Sequence, residues 1–191
     1  MTAAHGVVHE EMHSPAFVQR GGELELVQLW VNLPARAKLL APDYQELRAA
    51  SLPRAELAAG AGEVRAIAGS CFGVRGPART TTPIVLADLT LRAGAAVPLE
   101  LPAAWTRFVL VRRGSLQLDG VHASAGDLLE LTRGSDDCGL QVGAAPAQCL
   151  LLAGEVIDEP VVGHGPFVMN HWHEIETAMR EFRAGRLGAL A

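Results

Sequence analysis

Short apolar runs separated by turn residues dominate the middle of the chain. VQLWVNL (27–33), PIVLADLTL (83–91), TRFVLVRR (106–113), SLQL (115–118), DLLEL (127–131) and AQCLLLAG (147–154) are rich in Val, Leu and Ile, and Gly, Pro, Asp or Ser bounds them. Several alternate apolar with polar positions, the period of a half-buried strand. Many short strands at this spacing predict an all-β sandwich or small barrel. Leucine suits strand and helix alike, so DLLEL and AQCLLLAG are read as strands from their length. PDYQELRAASLPRAELAAG (42–60) breaks the pattern with Ala, Leu and Pro, and predicts a connection with short helical turns. The tail changes period. Ile175, Ala178, Met179 and Phe182 fall at i, i+3, i+4, i+7, Asn170 is the expected N-cap, and Gly185 the expected stop. Glu174 and Glu176 then sit near the positive end of the helix dipole, with Arg180, Arg183 and Arg186 toward the negative end.

Composition narrows the function classes. Of 191 residues, 49% are apolar and 19% charged, which marks a globular chain. Net charge is −5, and the 16 basic residues, with Lys38 the only lysine, are scattered. A nucleic-acid partner would need a basic face or stripe, so none is expected. No apolar run is long enough to cross a bilayer, and MTAAHGVVHEEMH lacks the basic and apolar regions of a signal peptide. Cys71, Cys138 and Cys149 are odd in number and sit at no metal-ligand spacing. Three reduced, mostly buried thiols in a cytoplasmic protein are expected, with a Cys138–Cys149 disulfide as the lesser alternative.

One cluster has chemistry in it. If residues 7–12 form a strand, His9 and Glu11 point to one face, roughly 7 Å apart along it. Both could then reach one ion, and His with carboxylate is part of a non-haem Fe(II) triad. His5 and His13 share that face but lie about 13 Å from His9 along an extended strand, too far for the same ion. The alternative is a chance H-x-E near a chain end. His171 and His173, at i, i+2 on a helix, are not expected to face one another. His122 and His164 sit in turn-like contexts and are read as structural. No serine or cysteine has a nucleophile's setting, and no glycine-rich loop suits phosphate.

Several segments together resemble the pirin family of double-cupin proteins: MTAAHGVVHEEM (1–12), QLWVNLPARAKLLAPDYQEL (28–47), TPIVLADLTLRAGA (82–95), LAGEVIDEPVVGHGPFVMN (152–170) and EFRAGRLG (181–188). The resemblance implies two stacked β-barrels (jelly rolls) and a C-terminal α-helix, the first barrel holding iron on three His and one Glu. Carried over by position, His9 is the third His and Glu11 the carboxylate, while the family's earlier H-x-H pair has no counterpart. Ala4 replaces a usual glycine. The chain thus enters the first barrel part-way, and its edges would need a partner chain, a rearrangement or an upstream start. The expected division is 1–60, a remnant of the N-terminal cupin domain with a linker; 61–170, the C-terminal cupin domain; and 171–191, helix and tail.

The second barrel keeps the glycines of a metal-binding cupin frame, Gly94, Gly114, Gly126 and Gly134, but not its ligands. Glu100 and Pro102 stand in the H-x-H slots, Arg107 in the glutamate slot and Asp137 in the final His slot. Proline has no donor and arginine stays protonated, so a structural or ligand-shaping barrel is expected. The resemblance implies Fe(II) as cofactor, a flavonol as substrate and quercetin 2,3-dioxygenase-like activity in the parent family, with Glu11 also a candidate base. With half of the metal site, this chain is expected to be inactive alone. The alternative is a non-enzymatic, iron- and redox-responsive regulator that binds a transcription-related protein.

Overall fold

A computed structural model describes residues 1–134 and 138–190. They fall into two compact units, one of residues 45–156 and one of residues 1–44 with 157–191.

The first of these is a two-sheet β-sandwich. Its strands are β1 (Arg54–Glu56), β2 (Gly62–Ala68), β3 (Ser70–Cys71), β4 (Val74–Arg75), β5 (Ile84–Leu91), β6 (Ala96–Pro98), β7 (Thr106–Arg113), β8 (Ser115–Leu118), β9 (Val121–Ser124), β10 (Leu128–Leu131), β11 (Gly139–Val142) and β12 (Ala147–Gly154). Six make one sheet in the order β1-β2-β5-β12-β7-β10, and four make the other, β6-β11-β8-β9; β3 and β4 form a small hairpin. Period-two patterning decides which side chains meet. On β7, Arg107, Val109 and Val111 are fully buried while Phe108, Leu110 and Arg112 are only partly covered. Val64, Leu89 and Leu151 from the six-stranded sheet share a core with Val97, Leu116, Leu140 and Val142 from the other.

The predicted strands at 83–91, 106–113, 115–118, 127–131 and 147–154 all form, within one residue of their expected ends. The expected turn glycines adopt positive φ, as at Gly114 (φ +71°), where a Cβ would stand 2.4 Å from the Pro146 carbonyl oxygen. Short helical turns occur at Ala49–Ser51 and Ala58–Gly60 as expected, but β1 lies between them. Off the core face, buried Asp88 accepts from Arg65 on the neighbouring strand and from Arg112 at 2.9 Å on β7.

The second unit contains α1 (Pro15–Arg20), α2 (Ala35–Lys38), β13 (Val162–His164), β14 (Phe167–Met169) and α3 (Trp172–Arg183). β13 and β14 pair as a hairpin against which α3 packs. The cap of α3 is His171, one residue beyond the expected Asn170, and Gly185 follows its C-cap with φ +69°. Ile175 and Ala178 are buried as the periodicity predicts, whereas Phe182 is exposed, its ring edge-on to that of Phe167. The predicted strand at 27–33 does not form. Strands exist only in pairs, and among the described residues 27–33 pairs with no other segment. No helix among the described residues is long and apolar enough to cross a membrane.

Leu151 is fully buried on β12 between Ala87 of β5 and Val109 of β7. Leu151→Ala is expected to cost about 2–5 kcal/mol, read as a lower urea midpoint, because the surrounding sheets cannot collapse on the cavity. Leu128→Ala, on edge strand β10 and 58% exposed, is expected to move it by under about 0.5 kcal/mol.

Candidate functional site

The N-terminal segment is pinned by backbone contacts. Thr2 and Asp43 exchange both hydrogen bonds, at 2.7 and 3.0 Å. The Leu40 carbonyl accepts from the His5 backbone N–H at 3.1 Å and from its Nδ1 at 2.8 Å. A carbonyl only accepts, so Nδ1 carries the proton and His5 is fixed as that tautomer. Val8 donates to the Leu187 carbonyl at 3.0 Å. Gly6 lies so close to Leu187 that a Cβ would stand 2.8 Å from its Cδ1. Ala4 sits at φ +46°, which explains why glycine is the easier residue there.

After Val8 the anchoring stops. His9, Glu10, Glu11, Met12 and His13 are all exposed, and residues 7–12 are not a strand. The same-face argument for His9 and Glu11 depended on that strand, so their pleated geometry is not realised here. Neither side chain has a hydrogen-bond or ion-pair partner among the described residues. The His13 ring lies tilted against that of Phe17, ring centres 5.4 Å apart. No group of three or more His, Cys, Asp or Glu able to hold a metal occurs among the described residues. The donor pair therefore does not make an iron site by itself, since such iron needs three or four protein ligands.

The other histidines fall differently from their sequence reading. His171 and His173 do face one another, stacked at 5.6 Å with ring planes 10° apart. The helical spacing rule fails because His171 is the cap, with extended backbone (φ −136°, ψ 153°), and only His173 lies within α3. His164 and His122 are on strands β13 and β9 rather than in turns; His164 meets the edge of Trp172 at 5.6 Å.

Pattern reasoning missed Lys38 altogether. It is 4% exposed at the end of α2, and its Nζ has no hydrogen-bond partner among the described residues. Burial pushes its pKa down, opposed by the charges of Glu159 and Glu174. Glu159 Oε2 accepts from the Ala35 N–H at 2.6 Å and from Asn170 Nδ2 at 3.0 Å. Glu174 Oε2 accepts from the N–H of His171 at 2.7 Å and of Asn170 at 3.0 Å. These carboxylates tie the N-terminal segment, the 157–170 stretch and α3 together. The one available signal was that a chain rich in arginine kept a single lysine.

In the sandwich, Arg107 is wholly buried, its Nη2 donating to the Thr132 carbonyl at 2.7 Å and its Nη1 lying 3.8 Å from Cys138 Sγ. A guanidinium thus fills the barrel interior at the slot where a metal cupin carries its glutamate. Pro98, Glu100 and Gln141 line an open groove along β6 and β11 that contains no histidine. Asp137 lies outside the described residues. The three cysteines are buried and none is in a disulfide, which sets aside the Cys138–Cys149 bridge. Burial, reinforced by Asp88, pushes the Cys149 thiol up to about 12, so it is no nucleophile.

Comparisons with known proteins agree with this architecture. The family model described as pirin C-terminal cupin domain matches residues 86–188. A Pseudomonas aeruginosa relative, named provisionally as a quercetin 2,3-dioxygenase, is 44% identical over 187 residues, covering 97% of this chain and 65% of its own. Pirin-1 of Arabidopsis thaliana is 35% identical, with 98% of this chain and 64% of that protein covered. The crystal structure of a quercetin 2,3-dioxygenase from Acinetobacter baumannii superposes with a TM-score of 0.87 at 33% identity, over 94% of this chain and 62% of that one. The chain spans about two thirds of the length of these relatives. The all-β cupin (jelly-roll) fold with a C-terminal helix is thereby shown.

The hydrogen bond from His171 holds Glu174 below the usual glutamate range, with Asn170 helping and burial opposing. A carboxylate depressed in the folded state contributes stability above its unfolded pKa and loses it as pH falls through the folded value. The urea-midpoint gap between the wild type and Glu174→Gln is expected to be widest at neutral pH and to close through that acid window. A gap independent of pH would refute the assignment.

Proposed function

This chain belongs to the pirin family, and from that premise we propose that it is the part of a flavonol-directed, Fe(II)-dependent cupin protein that contributes half of the metal's ligands. In this reading residues 1–60 are the remnant of the first cupin domain, 61–170 the second domain and 171–191 the closing helix and tail. His9 and Glu11 are the two donors this chain supplies, and Glu11 is also the candidate base for a substrate hydroxyl. One observation carries the reading. The two residues at the family's ligand positions are exposed and free of internal partners, directly beyond the Val8–Leu187 anchor.

Imidazole and carboxylate suit Fe(II), which when bound with its full ligand set would supply O₂ chemistry toward a flavonol ring. Two donors do not constitute that set, so no step through the metal is derived for this chain alone. Pro102 and Arg107 close the corresponding slots of the second barrel, whose part is to build and shape the protein. The names of the relatives support the flavonol assignment. A regulatory role toward a protein partner remains the second reading, supported by the exposed apolar side chains between residues 24 and 31.

The test is an anaerobic Fe(II) titration of the wild type and a His9→Ala/Glu11→Ala variant, followed by flavonol turnover in air. The wild type is expected to bind iron weakly, the variant at least about tenfold more weakly, and neither to turn over flavonol. Equal iron binding by both proteins would remove the two residues from the site. Turnover by the wild type with one iron per chain would overturn the half-site.

A further inference from the structure

Lys38 is the only lysine of the chain, and its side chain is turned inward. Ala35, Arg36, Leu39 and Leu40 around it are exposed, whereas Lys38 itself is buried. Its Nζ has no hydrogen-bond partner among the described residues. An ammonium held there without a hydrogen bond is costly, so the amine gives up its proton more readily. Burial lowers its pKa in this way, against the opposing charges of Glu159 and Glu174. A neutral amine has a free lone pair, which makes it a nucleophile toward a carbonyl carbon.

The groups around it are ones that such chemistry uses. Glu159 Oε2 accepts from the Ala35 N–H at 2.6 Å and from Asn170 Nδ2 at 3.0 Å, so one carboxylate joins the start of α2 to Asn170. Lys38 lies three residues on from Ala35, on the same side of that turn. Asn170 is buried as well. Its Nδ2 is engaged with two acceptors, Glu159 and the Pro160 carbonyl, which fixes the orientation of the amide. The Oδ1 that remains has no hydrogen-bond partner among the described residues, and neither has the covered Oδ1 of Asn32. Buried polar atoms are paired as a rule. An amine and two amide oxygens in one compact unit together suit a ligand that brings an electrophilic carbon and a hydroxyl donor.

We propose that Lys38 is a covalent anchor for a small hydroxyaldehyde or hydroxyketone, held as an imine beside Glu159 and Asn170. The amine lone pair attacks the carbonyl carbon, and one nitrogen-bound proton passes to the carbonyl oxygen to give a carbinolamine. The other nitrogen-bound proton leaves with that hydroxyl as water, while the nitrogen lone pair closes the C=N bond. Amine and carbonyl compound thus become imine and water, with no change of oxidation state. Glu159, whose charge bears on Lys38, relays the two protons, and Asn170 Oδ1 accepts from the hydroxyl of the ligand. The amine lies one side-chain length beneath an exposed turn, and local opening of that turn admits a molecule this small. The reaction uses neither His9 nor Glu11 and is independent of the half-site reading.

The wild-type chain would be incubated at neutral pH with glycolaldehyde and, in parallel, with propanal, each with cyanoborohydride to trap imines. Peptide mass spectrometry then locates the adducts. With a single lysine in the chain, Lys38 and the terminal amine of Met1 are the two amines that can form them. Lys38 is expected to be labelled at least about tenfold faster in the folded chain than in guanidinium, because unfolding returns the amine to its ordinary protonated state. Referred to Nα-acetyl-lysine, glycolaldehyde is expected to gain about fivefold at Lys38 over propanal, which has the same size but no hydroxyl. Labelling of the folded chain at Met1 alone would overturn the proposal, as would a Lys38 that reacts faster once unfolded; either result would leave a structural amine. Equal gains for the two aldehydes would overturn the hydroxyl-bearing class of ligand.

Discussion

The eight-residue strand β12 is the constraint on which the sandwich depends. It comes late in the chain yet lies between β5 and β7, pairing with β5 along its whole length and with β7 from Gln148 to Gly154. Insertion there makes it a central strand, with Cys149 and Leu151 fully buried and Leu150 nearly so on the opposite face. Its partners are 35 or more residues away in sequence (from Arg113 to Gln148), so the pairing is long-range and carries a loop-closure cost. The four-stranded sheet then packs on the face that β12 completes, and the core holds side chains from both.

The other unit is organised by polar ties. Glu159 and Glu174 accept backbone and side-chain donors from α2, Asn170 and His171, and buried Lys38 sits in the field of both carboxylates. The bond from Ala35 restrains α2, which at four residues is too short to hold itself. Buried charge costs desolvation, and the lowered pKa of Lys38 records that cost. Within this unit the apolar material is spent elsewhere, on the exposed patch between Leu24 and Val31.

Family membership and site chemistry meet at different places in the chain. The family match lies over residues 86–188, where Arg107 is wholly buried. The candidate donors lie at His9 and Glu11, in a segment whose anchors, Leu40 and Leu187, come from distant parts of the sequence. Arg107 places a positive charge in the interior of the sandwich, its Nη2 donating to the Thr132 carbonyl at 2.7 Å.

The sequence by itself determined the all-β class, five of the sandwich strands, the closing helix with its buried Ile175 and Ala178, and the family. Those features rest on local periodicity and on motifs, which are properties of neighbouring residues. Tertiary structure decided the rest. VQLWVNL has the pattern of a strand but no partner, and a strand is a relation between two segments. The His171–His173 stack depended on where the helix begins, a matter of one residue settled by the carboxylate of Glu174. Lys38 carries no pattern, and only the packing of Pro34–Lys38 near Glu159 buried it. His9 and Glu11 were legible as residue types at the right spacing. Whether two donors become a site is fixed by what folds against them, and spacing along one segment does not contain that information.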